Sequence, residues 1–361
     1  MSHGAPLRPS PSRTASKIAR AVWHSDYLRR SPFNVGGDGA HKEWLHFVVH
    51  AGEVDLLVNF SLVDDTRPQA RPGTEYPRLV VLARAGDWDG DIELFDPRDA
   101  LVRGGGIELR YGPNSVRFDG ELYHIRVKLR RRPIEIDLKL RPTSLPALSN
   151  NIRLELGDRP INWMVLPRLV ASGSARIGGE TSYFHEVPAY HDHNWGHFHW
   201  GRDFAWEWGF SLPERADVPW STVFVRLSDR SGTRALTQGL FLWKRGGHHR
   251  IFRAHELAIA PRGLLRRDRI FKLPRIANVI SPGAAADVPA ELEARAEADG
   301  DWLELRFVAR DLAQVCIPND TDDDEMTVIN EVTGSLEMAG EVRGERVELS
   351  GLGMFEFVRG G

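Results

Sequence analysis

The sequence predicts an all-β protein made of two related halves, and three observations lead there. Apolar and polar residues alternate with a period of two along most of the chain. Helical periodicity is scarce, and a segment from the middle of the chain recurs near its end. With 361 residues the chain exceeds one typical core, so two domains are expected. Many short strands per half favour a closed up-and-down barrel or a sandwich, and a barrel of roughly eight to ten strands is wide enough inside for one apolar ligand.

Composition narrows what such a protein does. Its 47 basic and 50 acidic residues leave a net charge of −3. That balance offers no field for a phosphate backbone, so nucleic acid is not an expected partner. Cys316 is the only cysteine. It reads as a core thiol in a cytoplasmic protein, with no disulfide framework and no thiolate metal site within the chain.

In chain order, residues 1–25 are rich in Ser, Pro, Arg and Ala and read as a disordered or loosely docked arm. Ile18 to Trp23 is an amphipathic stretch suited to docking on the body or to weak contact with a membrane surface. No stretch there has the apolar length of a signal peptide or a membrane span. Residues 26–200 form the expected first barrel, with strands at 45–50, 54–62, 79–84, 116–118 and 122–128. The clearest strand alternates Ile134, Ile136, Leu138 and Leu140 with Glu135, Asp137, Lys139 and Arg141, and turn signals sit at Gly112-Pro113-Asn114 and Asp119-Gly120. Residues 201–361 form the second barrel, with strands at 221–228, 239–244, 302–309, 326–338 and 345–349. The basic stretch 262–275 reads as a short helix or a connecting loop.

The recurrence is SGSARIGGE at 172–180 against TGSLEMAGE at 333–341, an offset of 161 with four identities. Duplication predicts that each half ends on the same strand, near Asp192 in the first and near Glu356 in the second.

Residues 183–208 hold five of the fourteen histidines and four of the eleven tryptophans, with Asp192 among them. Such a cluster suits either a metal site or a dry acid site. If 189–200 runs as one strand, His191, His193, Trp195, His197 and His199 share one face. Tyr190, Asp192, Asn194, Phe198 and Trp200 share the other. Four histidines along a strand span roughly 20 Å, so they cannot all bind one ion. His191 and His193 could chelate with a third ligand such as His46 or His185, but hydrogen bonding within a strand-rich wall is the simpler role for them.

The Tyr190, Asp192 and Asn194 face carries the sharper expectation. A carboxyl facing an aromatic-lined interior keeps its proton near neutral pH and can donate it. The plainer alternative is a structural aspartate that caps a turn at Gly196 or pairs with Arg202. Glu43-Trp44 opens the first confident strand and could bring a second carboxylate to the same interior. Trp206 and Trp208 share a face with Glu207 opposite, a spacing that usually marks core. Asp87 to Asp91 lacks the glycine and glutamate positions of a calcium loop, Asp320 to Glu325 reads as a solvated loop, and Gly104 to Gly106 is a turn.

At these residues the chain resembles the carotenoid 1,2-hydratase (hydroxyneurosporene synthase) and AttH-like family. The matching positions are Glu43-Trp44, Trp163 in INWMVLP, Tyr190 to Gly196 in YHDHNWG, and the closing GLGMFE that ends at Glu356. The resemblance implies two tandem lipocalin-like antiparallel β-barrels with few helices. It also implies Asp192 as proton donor, Tyr190 as its neighbour and Trp163 as a pocket wall, although Ile161 stands where those hydratases carry a histidine.

The expected function is therefore a cofactor-independent enzyme of the lyase or isomerase class that protonates a C=C bond of an apolar terpenoid, isoprenoid or polyene, giving hydration or cyclisation. Asp192 and Tyr190 are the expected catalytic pair. Trp163, Trp195, Asn194, Glu43, Trp44, Trp200 and Trp206 are expected around the substrate, with His191 and His193 supporting from behind and no metal or cofactor. A pericyclic cyclase of Diels-Alder type and a lipid carrier without chemistry are the alternatives.

Overall fold

The computed structural model describes residues 13–29, 41–64, 75–149, 161–200, 202–215, 217–280, 288–320 and 326–360. The architecture is all-β and lipocalin-like, two curled sheets that each form a half-barrel. Among the described residues, twelve strands between His41 and His197 make the first sheet and ten between Ala205 and Gly360 make the second. Neighbouring strands are antiparallel throughout, except that the short strand Phe271–Leu273 lies parallel to Asp301–Pro318. That short strand lies near the end of the basic stretch 262–275, whose residues 263–270 run as the connecting loop that is one of the two readings of the sequence.

Both sheets repeat one plan. In the first, the last strand Glu180–His197 lies between the opening strand His41–Ala51 and the long strand Ile161–Ile177. In the second, Glu345–Gly360 lies between Ala205–Pro213 and Met326–Val342. Each half thus ends on an equivalent central strand, one carrying Asp192 and the other Glu356.

The recurring glycines have a steric reason within this plan. A Cβ on Gly173 would lie 2.1 Å from the Asp137 carbonyl oxygen, and one on Gly334 would lie 2.1 Å from that of Val308. Both glycines therefore stand where a long strand crosses its neighbour too closely for any side chain.

Residues expected to form a loose arm include the helix Arg13–Ser25. Ile18 and Val22, one turn apart, bury themselves in the apolar interior of the first sheet, and Trp23 packs against Phe118 with ring centroids 6.2 Å apart. Residues 1–12 lie outside the described chain. Among the described residues no helix is long and apolar enough to cross a membrane.

The curl of each sheet is filled by its own side chains: Leu45, Phe47, Ile125 and Leu138 among others in the first, Phe224, Leu305, Phe307 and Phe355 in the second. The interior that a barrel of this size could offer a ligand is thus taken up by side chains. A third apolar cluster lies between the two sheets and draws on both, with Trp44, Trp163, Tyr190 and Trp200 from one side and Trp206, Trp208, Phe210 and Met354 from the other. Strands facing this layer are buried on both faces, which is why Ala205–Pro213 is buried along its whole length.

The glycine argument is checked by substitution. Gly173→Ala and Gly334→Ala should each lower unfolding free energy by roughly 1–3 kcal/mol, as overpacking does. Gly106→Ala, where a Cβ meets open space, should stay within roughly 0.5 kcal/mol of the parent. Equal urea midpoints for all three variants would sink the steric account.

Candidate functional site

The strand Glu180–His197 positions the site, and its alternation sorts two kinds of chemistry onto two faces. The odd residues His191 and His193 point into the first sheet's curl, while Tyr190, Asp192 and Asn194 point into the layer between the sheets. Expected parity holds here through His197. Phe198 and Trp200 lie beyond the strand but still join the inter-sheet aromatics.

On the inner face, Asp26 accepts hydrogen bonds from His193 Nδ1 at 2.7 Å, from His191 Nε2 at 3.1 Å and from the Tyr123 hydroxyl. His193 Nε2 donates to Glu43 at 2.8 Å, and Glu43 also accepts the Arg29 backbone N–H at 2.6 Å. Both nitrogens of His193 thus donate to carboxylates, as only an imidazolium can. Burial works against that charge, but the bonds to Asp26 and Glu43 raise the His193 pKa to about 9. Asp26 resists burial in the same way and is held well below the usual carboxylate range by His191 and His193.

Glu43 therefore lies on the opposite face from Asp192, and the expectation that it lines the same interior is corrected. The reason is the alternation itself: Trp44 faces the layer between the sheets, so its neighbour Glu43 cannot. Trp195 is corrected likewise. It sits on the His193 side, its ring 5.3 Å from that of His193 and 4.1 Å from the Arg29 guanidinium.

The inter-sheet face encloses a cavity lined by Trp44, His46, Trp163, Asp192, Asn194, Trp206, Trp208, Glu331 and Glu356, among others. Its open centre measures about 20 Å³, room for one water. Asp192 is only 4% exposed. It accepts hydrogen bonds from the Asn194 amide and the Tyr190 hydroxyl, and Tyr190 in turn accepts from Trp208 Nε1 at 2.7 Å. Phe210 stacks on the Tyr190 ring with centroids 3.5 Å apart, fixing the phenol.

Burial and the nearby Glu356 push the Asp192 carboxyl well above the usual carboxylate range, against the lowering effect of Tyr190 and Asn194. Neither a capping role at Gly196 nor a pair with Arg202 describes it, since Arg202 lies near Asp203 at 4.0 Å. Tyr190 is raised well above 10 by burial and by Asp192, so it remains a phenol.

Aromatic rings close the site around these acids. Trp44 stacks near Trp206 with centroids 5.8 Å apart, Trp200 lies 4.7 Å from Trp206, and Trp163 meets Trp208 edge-on at 5.6 Å. Trp200 lies in this aromatic group beside the lining residues Trp44 and Trp206. A buried ion pair clamps the same end: Lys42 Nζ reaches Asp320, just past the strand Asp301–Pro318, at 2.7 Å and donates to the Phe198 carbonyl at 2.8 Å. Asp320, expected in a solvated loop, also accepts the Trp200 N–H; residues 321–325 lie outside the described chain.

Sequence reasoning did not find Glu331, Glu356 or His46 as lining residues, nor Asp26 as the inner anchor. His46 stands opposite Asp192 on the neighbouring strand. Burial lowers its pKa to about 3, so it is neutral. It faces away from His191 and His193, which removes the alternative in which it joins them as a third metal ligand. His185 does not appear in either group of convergent ligand atoms among the described residues: His41, Asp64 and Glu75, or His46, Glu331 and Glu356. In each group carboxyls are already engaged, since His41 meets Glu75 at 3.3 Å and Glu331 is hydrogen-bonded to Glu356. We read them as hydrogen-bonded sets.

The inner network yields a prediction. Asp26→Asn should cost about 3–5 kcal/mol, because it leaves His193 half paired in a buried site. His193 has a folded pKa of about 9 against 6.5 for the free side chain. Its contribution is whole below 6.5 and lost as pH rises through about 9. Urea unfolding should show that alkaline loss in the parent and a smaller one in the variant; identical slopes would refute the assignment.

No protein-family model matches the sequence, and no curated protein matches it. Solved structures do resemble it in fold. The AttH protein of Nitrosomonas europaea superposes with a TM-score of 0.63 at 15% identity, covering 98% of each chain. CghA, solved with Sch210972, gives 0.57 at 15% identity over 89% of each chain. Kievitone hydratase from Nectria haematococca gives 0.51 at 12% identity over 89% of each chain. The expected AttH-like resemblance is therefore met at the level of architecture, while the likeness to carotenoid hydratases is not shown by these structures.

Proposed function

We propose that this protein is a cofactor-independent hydratase or cyclase for an apolar unsaturated substrate, with protonated Asp192 as the proton donor. One observation carries the reading: a carboxyl buried between two sheets, walled by indoles and bonded to no lysine or arginine among the described residues. Such a group holds its proton at neutral pH and can deliver it to a C=C bond held against it. The hydratase among the fold's relatives supports the reaction class.

Tyr190 acts on Asp192 in this scheme. Its hydroxyl donates to the carboxyl, while Trp208 and the Phe210 stack hold it in place. Asn194 holds Asp192 Oδ1 as an acceptor, so Oδ2 is the oxygen that carries the proton. Indole faces of Trp44, Trp163, Trp206 and Trp208 then meet the developing positive charge, an attraction worth about 2 kcal/mol when desolvated. Terpenoid and isoprenoid chains suit this wall, since they are apolar, flexible and form stabilised tertiary cations. A site open by only about 20 Å³ admits such a chain when the lining side chains move, and Met354 is the most adaptable of them.

Asp192→Asn preserves the shape and removes the acid. Incubated in D₂O with polyenes from monoterpenes to carotenoids, the parent should form products carrying one new C–D bond. Turnover of the variant should fall by roughly 10²–10⁴-fold, with near-UV circular dichroism unchanged. Parent activity should decline as pH rises through the raised Asp192 pKa, because the neutral form is the reactive one. Recovery of every ligand unchanged from the parent would instead support a carrier.

A further inference from the structure

Glu331 and Glu356 stand directly opposite each other on neighbouring strands, and both line the cavity that Asp192 enters. Their carboxyl oxygens lie within 4.8 Å of one another and share a hydrogen bond. An ionised carboxylate only accepts, so this bond exists only while the pair holds a proton. A second proton is not needed. Trp206 Nε1 donates to Glu356 and stabilises negative charge there, and two carboxyls in contact ionise once far more readily than twice. The facing groups supply no positive charge: His46 is neutral, Tyr190 is a phenol, and Asp192 is itself an acid.

We infer that the Glu331–Glu356 pair, holding one proton and one negative charge, is the counter-charge and proton acceptor for the cation that Asp192 creates. This rests on the Asp192 reading and extends it to the ligand class: the cavity selects ligands that carry or develop positive charge on an apolar body. In the first step the Asp192 O–H bond breaks and the alkene π electrons form a C–H bond, leaving the neighbouring carbon positive. Either a water lone pair then forms a C–O bond and its proton passes to the pair, or an adjacent C–H bond breaks, its electrons form a new C=C bond and its proton passes to the pair. The pair ends neutral and Asp192 ionised. Return of one proton from the pair to Asp192 restores the site without an outside acid.

A stable ammonium ion tests this without knowledge of the natural substrate. N,N-dimethyldecylamine, protonated at neutral pH, and 2-methyldodecane, its uncharged counterpart, are titrated against the protein by tryptophan fluorescence. The parent should prefer the amine by roughly tenfold, and the preference should shrink on acidification as the pair takes its second proton. Glu331→Gln and Glu356→Gln should lose the preference while keeping hydrocarbon affinity, and Asp192→Asn should keep both. The acidification arm needs no variant, so a misfolded substitution does not shield the idea. No preference in the parent, or an undiminished preference in both glutamine variants, overturns the pair. Loss confined to Asp192→Asn overturns the pair and shows Asp192 ionised, which removes the proposed donor as well. Stoichiometric zinc displaced by the amine would also overturn proton sharing.

Discussion

One constraint governs this molecule: the strand Glu180–His197 is buried on both faces near its end yet carries ionisable groups on each. A buried charge needs an opposite charge and hydrogen bonds, or it must be neutralised by a proton. The inner face takes the first course, with His193 charged between Asp26 and Glu43. The outer face relies on protons, Asp192 holding its own beside two more carboxyls that share one, with no lysine or arginine bonded to any of them among the described residues. The backbone between adjacent residues 192 and 193 therefore separates an ionic environment from a protonated one. Rigid ion pairing behind the strand fixes the geometry in front of it.

The plan of the sheets explains how three acids reach one cavity. Asp192 and Glu356 occupy equivalent central strands, and the two sheets pack with those strands' outer faces toward each other. The halves differ in what stands across the next strand. Val165 lies opposite Asp192, whereas Glu331 lies opposite Glu356. A carboxyl with no acid across the strand and one with an acid there titrate differently, and separation of that kind is how carboxyls divide donor and acceptor roles.

Much of this is legible in the chain itself, and the misses have physical causes. Period-two alternation locates the strands, and parity separates His191 and His193 from Tyr190 and Asp192. The same rule, applied to Glu43-Trp44, places the two on opposite faces. It would have excluded Glu43 from the cavity. Asp26 is invisible to periodicity, because it follows a helix and meets His193 only through the fold. Glu331 and Glu356 are harder still: each sits in an ordinary alternating strand, and nothing local says which outer face meets the other sheet. The recurrence at 172–180 and 333–341 held a usable signal for Glu356, since it pairs the strand of Asp192 with that of Glu356, and the closing GLGMFE match ends on the same residue.

The same electrostatics sets where the protein is stable. Carboxyls whose folded pKa is raised bind protons that the unfolded chain has released, so Asp192, Glu331 and Glu356 erode stability as pH rises from about 4 toward their folded values. Asp26 acts in the opposite sense, for its lowered pKa contributes stability that is present above the usual carboxylate range and lost in acid. His193 adds to it until pH approaches about 9. The inner ion pairs thus offset the outer acids across the neutral range. A site that stores protons without counter-cations is tolerable only because the strand bearing it is anchored from the other side.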